Sequence, residues 1–177
     1  MSVHEVFPDD PVTTGPPDSA ARPASRLGQV LDRQGIASAR LLIRADAEAH
    51  HSDIRLADHL RRTLFLPAST IAAAEAQVLG CGVVDPVHHP PEPALIHRLG
   101  AGVCLRSGVL PWRKSAGVVV ILTCRPEQID ALHDRLVAVF GRYRIAVTTE
   151  ELLQLALRRA ADAVLIDAAE TLTPIAE

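Results

Sequence analysis

Apolar residues recur at helical spacing through the first half of the chain. The stretch from Arg26 to Gln34 reads as a helix that stops at Gly35. Ser38 is placed to cap a second helix, on which Leu41, Leu42 and Ala45 share a face. Asp53 is placed to cap a third, carrying Leu56, Leu60 and Leu64. Pro67 then interrupts, and Ser69 or Thr70 restarts a helix striped by Ile71, Ala74 and Val78 and closed by Gly80. Four short helices with brief connections predict a small bundle over residues 26–80.

The pattern changes after Gly80. Val83-Val84 is a short strand candidate, and His88-His89-Pro90-Pro91 with Pro93 marks a loop. Ala94 to Leu99 reads as a short helix. Val103-Cys104-Leu105-Arg106 and Val109-Leu110-Pro111-Trp112 flank Ser107-Gly108 and predict a hairpin turning there. Val118 to Thr123, β-branched and apolar, predicts a central strand. Pro126 suits the first position of a helix on which Ile129, Leu132, Leu136 and Val139 repeat, with Gly141 at its end. Ile145-Ala146-Val147 predicts another strand, and Thr148 with Glu151 matches a capping box for a last helix. The expected fold is therefore α+β: a small helical repeat unit followed by a compact α/β unit with a small mixed sheet. The expected organisation is a disordered leader over residues 1–25, the helical unit over 26–80 and the α/β unit over 81–177. The leader rests on Pro8, Pro11, Pro16, Pro17 and Pro23, which break regular structure.

Composition narrows the function classes. Aromatics make up only 3% of the 177 residues, which argues against a base-stacking platform for single strands. Net charge is −3, all of it from the leader, where Glu5, Asp9, Asp10 and Asp18 face Arg22 alone. The body is neutral, unlike a nucleic-acid binder with a basic face. Apart from Lys114 every basic residue is Arg, which leaves one candidate for a lysine nucleophile. Cys81, Cys104 and Cys124 are widely spaced in apolar runs and read as reduced, buried thiols of a cytoplasmic protein. No stretch reads as a signal peptide or a membrane span.

Sequence motifs for catalysis are missing. There is no GxSxG elbow, Walker loop or GxGxxG. The pairs His50-His51 and His88-His89, with His59, His97 and His133, lack zinc-site spacing, and no metal is expected. The chain alone is read as non-catalytic. Pro111-Trp112-Arg113 is a candidate interaction surface, since Trp and Arg favour binding hot spots.

The most informative feature is an internal repeat. Arg26-Leu27-Gly28-x-x-Leu31 recurs 29 residues later as Arg55-Leu56-Ala57-x-x-Leu60. Gly28 and Ala57 are small enough for close backbone approach. Arginine at a helix start opposes the helix dipole, which points to another use for Arg26 and Arg55, such as an anion or a purine ring.

Arg26-Leu27-Gly28, Leu31, Gly35-Ile36 and Leu42 resemble the first motif of the N-terminal domain of type II secretion ATPases, the MshEN class. Residues 55–80 resemble its second copy, Val83-Val84-Asp85-Pro86 the segment after it, and Val118 to Arg159 its α/β part. Some members bind cyclic di-GMP through the two motifs. The resemblance thereby implies ligand contacts at Arg26, Leu27, Gly28, Arg55, Leu56 and Gln77. The copies depart from the motif at Asp32, Ala49, Ala57 and Leu64, and Gln77 falls one position early.

A second resemblance covers Arg106 to Arg113, Thr123 to Glu127, Phe140-Gly141 and Ala169 to Thr171. These resemble bacterial family 2 glycosyltransferases that carry such a domain ahead of a membrane-bound catalytic region. The two resemblances together imply an accessory, regulatory domain in the cytoplasm or at the inner face of a membrane, reached through a partner or a fused region. Its main expected partner is a glycosyltransferase catalytic domain, downstream or separate; a chain continuing into one would be that enzyme. The alternatives are a regulatory domain of a secretion or pilus ATPase and a free-standing cyclic di-GMP receptor.

Overall fold

The computed structural model describes residues 22–171, with side chains over 22–160. The expected leader therefore falls, except for residues 22–25, outside the described residues. Four helices come first: α1 (Arg26–Arg33), α2 (Ala39–His51), α3 (Leu56–Thr63) and α4 (Ala68–Leu79). Val30, Leu31, Leu42, Ala45, Leu60, Ile71 and Ala74 form their common core. Most of the apolar positions read from sequence lie on the packed faces of these helices; Leu41 does not, being 46% exposed beside buried Leu42.

Their starts differ from expectation in detail. Ser38 precedes α2, but its side chain makes no capping bond. Asp53 does not cap α3; it sits at φ 51°, and Arg55 holds the cap position. The fourth helix begins at Ala68, directly after Pro67, ahead of Ser69 and Thr70.

The second unit comprises α5 (Pro93–Leu99), α6 (Ala101–Ser107), β1 (Val109–Ser115) and β2 (Val118–Thr123). A 3-10 turn (Pro126–Gln128), α7 (Ile129–Phe140), β3 (Tyr143–Val147) and α8 (Glu150–Thr171) follow. The sheet order is β1-β2-β3, with β1 antiparallel and β3 parallel to β2. The central strand is β2, as its apolar run predicts, and α7 is the crossover that a parallel neighbour requires. Leu110, Ile121, Leu122, Leu136 and Leu153 are fully buried in this core. Val83 adds a single parallel bridge to Val147, so the Val83-Val84 strand candidate is one residue pair long.

The hairpin at Ser107-Gly108 is not formed. Residues 101–107 are helical, and Gly108 ends that helix in the left-handed region at φ 58°. Val103 and Cys104 are buried while Leu105 and Arg106 are exposed, a consecutive pairing that fits a helix face and not strand alternation. The hairpin turns instead at Ala116-Gly117, whose φ values of 49° and 80° give the two-residue turn with both centres left-handed. Alanine at the first centre hides that turn from sequence inspection.

The start of α8 also differs by one residue. Thr149, not Thr148, accepts a hydrogen bond from the Leu152 N–H through Oγ1, at 3.3 Å. Thr148 is buried, and its Oγ1 has no partner. Ala72, Ala76 and Val147 form a small buried contact between α4 and β3, joining the two units.

Candidate functional site

The first repeat copy is held by its backbone. Ser25 Oγ accepts from the Gly28 N–H at 3.0 Å, and the Ser25 N–H donates to Asp46 Oδ2 at 3.1 Å. This caps α1 and ties it to α2. A Cβ on Gly28 would stand 2.7 Å from Pro23 Cβ and 2.8 Å from Ser25 Oγ, so the close approach expected here is real. Leu27 is half-buried against the helical core, and Arg26 projects exposed from the helix start.

The second copy is built differently. Leu56 packs on the same core as Leu27, and Ala57 is buried in the position of Gly28. Arg55 is enclosed by acids. Its Nη2 lies 2.8 Å from Glu75 Oε1, its Nε 2.8 Å from Glu127 Oε1 and its Nη1 3.7 Å from Asp58 Oδ1. Glu75 belongs to α4 and Glu127 to the 3-10 turn after β2. One guanidinium thus links the helical unit to the α/β unit. Arg61 and Glu151 make a second ionic link between the same units.

Burial pushes the Glu75 carboxyl up to about 7; Arg55 pulls it down, and the charges of Glu127 and Asp58 push it further up. Three carboxylates around one guanidinium leave more negative charge than it neutralises.

Gln77 does not join Arg55. Its side chain accepts a 2.7 Å hydrogen bond from Gln34 at the end of α1. Two residues on a helix are about 200° apart, so Glu75 and Gln77 leave α4 on opposite sides. The structure therefore brings Leu27 and Leu56 into one cluster, while Arg55 and Gln77 serve separate contacts. Arg26 takes no part in the acidic node.

Trp112 and Arg113 are engaged within the chain. Trp112 Nε1 donates to His89 O at 2.6 Å, and Arg113 Nε donates to Pro90 O at 3.1 Å while its guanidinium lies over the indole. The pairing register of β1 slips between Pro111 and Arg113, so Trp112 sits at a bulge. The loop at residues 89–92 covers the outer edge of β1, with the Glu92 N–H bonded to Trp112 O at 2.7 Å.

The histidines are dispersed. His59 is buried with Nε2 3.2 Å from Glu48 Oε2; His88 pairs with Asp85 at 2.7 Å, and His133 with the Tyr143 hydroxyl at 2.8 Å. Among the described residues no group of three potential metal ligands comes together, and no helix is long and apolar enough to cross a membrane. Cys104 is buried, whereas Cys81 and Cys124 are only half-buried. Sequence reading missed Glu75, Asp58 and Glu127 as partners of Arg55. Asp58, three residues after Arg55, has a helical pairing spacing that could have been read; Glu75 and Glu127 have none, because Glu127 lies 72 positions away and arrives through the fold.

Comparison with known proteins agrees with this architecture. The MshEN domain family matches residues 79–166. A segment of 80 residues is 38% identical to the type IV pilus assembly ATPase PilB of Thermus thermophilus. That segment covers 45% of this chain and 9% of the relative's length. A solved structure of MshE with cdg superposes with a TM-score of 0.68 at 22% identity, covering 77% of this chain and 99% of that one. Only 11 residues follow residue 166, so this fold likeness extends into the helices before residue 79.

Proposed function

We propose that this chain, whose residues 79–166 match the MshEN domain family, is a regulatory module of the type IV pilus and type II secretion ATPase class. The observation that carries this is the 38% identity to a pilus assembly ATPase. The module itself is non-catalytic and works in the cytoplasm on an ATPase motor, fused or separate. The relative favours this over the glycosyltransferase partnership, which rests on sequence resemblance at Arg106 to Arg113 and the segments after it. The test is ATP hydrolysis by a pilus assembly ATPase core lacking its own N-terminal domain, with and without this chain. Stable association and at least a twofold change in rate are expected. No association and no change in rate would overturn the reading.

A second reading, cyclic di-GMP binding, is favoured by one observation. The superposable structure is of MshE with cdg, which we read as cyclic di-GMP. Carried over by resemblance, Arg26, Leu27 and Gly28 would supply one half of the site and Arg55, Leu56 and Gln77 the other. The acids around Arg55 oppose an anionic ligand in the second half. Binding should therefore be weak and rest on the first copy. Calorimetry with cyclic di-GMP on the parent and on Arg26→Ala tests it: affinity lost in the variant is expected, and no binding by the parent ends the reading.

A further inference from the structure

The cleft between α6, α8 and the loop leaving β2 plays no part in the reading above. Its volume is about 360 Å³. Arg106 borders it from α6, Arg125 from the loop and Arg158 from α8, while Glu150 is the one carboxylate-bearing residue on its wall. Among the described residues none of the three arginines lies within 4.0 Å of a carboxylate. Three arginines against one glutamate give the cleft a formal balance of +2. Three arginines gathered around a single described carboxylate repel one another, and an anion placed among them relieves it.

Two further features shape the site. Glycine is a poor helix residue, yet Gly102 lies in α6; a Cβ there would stand 3.2 Å from Arg106 Nη1. The bare backbone leaves the guanidinium room to lie along the helix. Part of the lining is apolar, with Leu105 56% exposed beside Arg106, and Gln128 and Gln154 add neutral amides that both donate and accept. Cations, amides and an apolar wall around a volume near the lower end of small-molecule sites suit one phosphorylated body and not a large dinucleotide.

We propose that this cleft binds a phosphorylated small molecule of mononucleotide size, with its phosphates among Arg106, Arg125 and Arg158 and its body against Leu105. Guanidinium groups match phosphate through paired hydrogen bonds. None of the lining residues belongs to the two repeat copies, so the inference stands apart from cyclic di-GMP binding and from the ATPase reading.

The test is calorimetry on the full chain with ADP, pyrophosphate and adenosine. ADP and pyrophosphate should bind, adenosine at least tenfold more weakly than ADP, and binding should weaken with added salt. The double variant Arg125→Ala, Arg158→Ala should lose at least tenfold in ADP affinity. Because a double variant can lose its fold, Glu150→Gln is the companion: removing the one acid should tighten pyrophosphate binding severalfold. No binding of ADP or pyrophosphate by the parent at about 1 mM, or affinity unchanged in all variants, would overturn the proposal.

Discussion

Arg55 and Glu75 meet at 2.8 Å between the start of α3 and the middle of α4, in a contact that leaves only 22% of the arginine and 13% of the glutamate side chain exposed. The pair is not a simple ion pair, because Glu127 and Asp58 share the same guanidinium. The Glu75 carboxyl is raised from 4.5 to about 7, first by burial. A raised carboxyl binds its proton more tightly in the folded chain than in the unfolded one. Its contribution to stability is then fully present below pH 4.5 and is lost as pH rises through about 7. The size is on the order of 3 kcal/mol. Glu75→Gln keeps a hydrogen-bond acceptor for Arg55 and removes the titration. Thermal melts from pH 5 to 8 should show the stability difference, variant minus parent, growing in the variant's favour as pH rises. A difference that stays flat would show that Glu75 titrates normally.

The same node governs any anionic ligand at the second repeat copy. Arg55 can turn to a phosphate only by leaving its acids. The double variant Glu75→Gln, Glu127→Gln should therefore bind cyclic di-GMP about tenfold more tightly than the parent, a gain near 1.4 kcal/mol. Calorimetry reads this directly. Equal affinity in both would mean that Arg55 is not a ligand contact.

Much of the fold was legible because apolar periodicity is strong where one face is buried. Leu31, Leu42 and Leu60 mark the helical core, and Val119, Ile121 and Leu122 the central strand. The failures were local. Val103 and Cys104 are β-prone in type but were drawn into a helix by burial against the sheet core. Ala116 occupies a left-handed turn position without the usual Asn or Gly. The repeat was visible, whereas the fate of Arg55 was not, since its two closest partners come from residues 75 and 127. Charges meeting across units leave no spacing signature.

Gly28 provides a test of close packing at the first copy. Glycine to alanine in a helix ordinarily gains about 1 kcal/mol from propensity. Here the new methyl would meet Pro23 Cβ at 2.7 Å and Ser25 Oγ at 2.8 Å, displacing the residue that caps α1. Gly28→Ala should destabilise the chain by roughly 1–3 kcal/mol in denaturant titrations. Gly82→Ala, where a Cβ meets nothing within 4 Å, should be near neutral. Equal effects at the two sites would remove the packing argument.

Thr148 offers the opposite case, a polar atom with little to hold it in place. Its Oγ1 is buried without a partner, between the Thr123 carbonyl that takes its backbone N–H at 3.0 Å and the start of α8. An unsatisfied buried hydroxyl carries a desolvation cost of about 1–3 kcal/mol that valine, of the same shape, does not. Thr148→Val should therefore leave stability unchanged or raise it by up to about 1 kcal/mol, against the usual loss for this exchange. Thr149→Val, by contrast, removes the hydroxyl that accepts from the Leu152 N–H and should cost about 1 kcal/mol. Chemical unfolding of the two variants side by side checks both signs, and a loss at Thr148 as large as at Thr149 would mean that its hydroxyl is satisfied in solution.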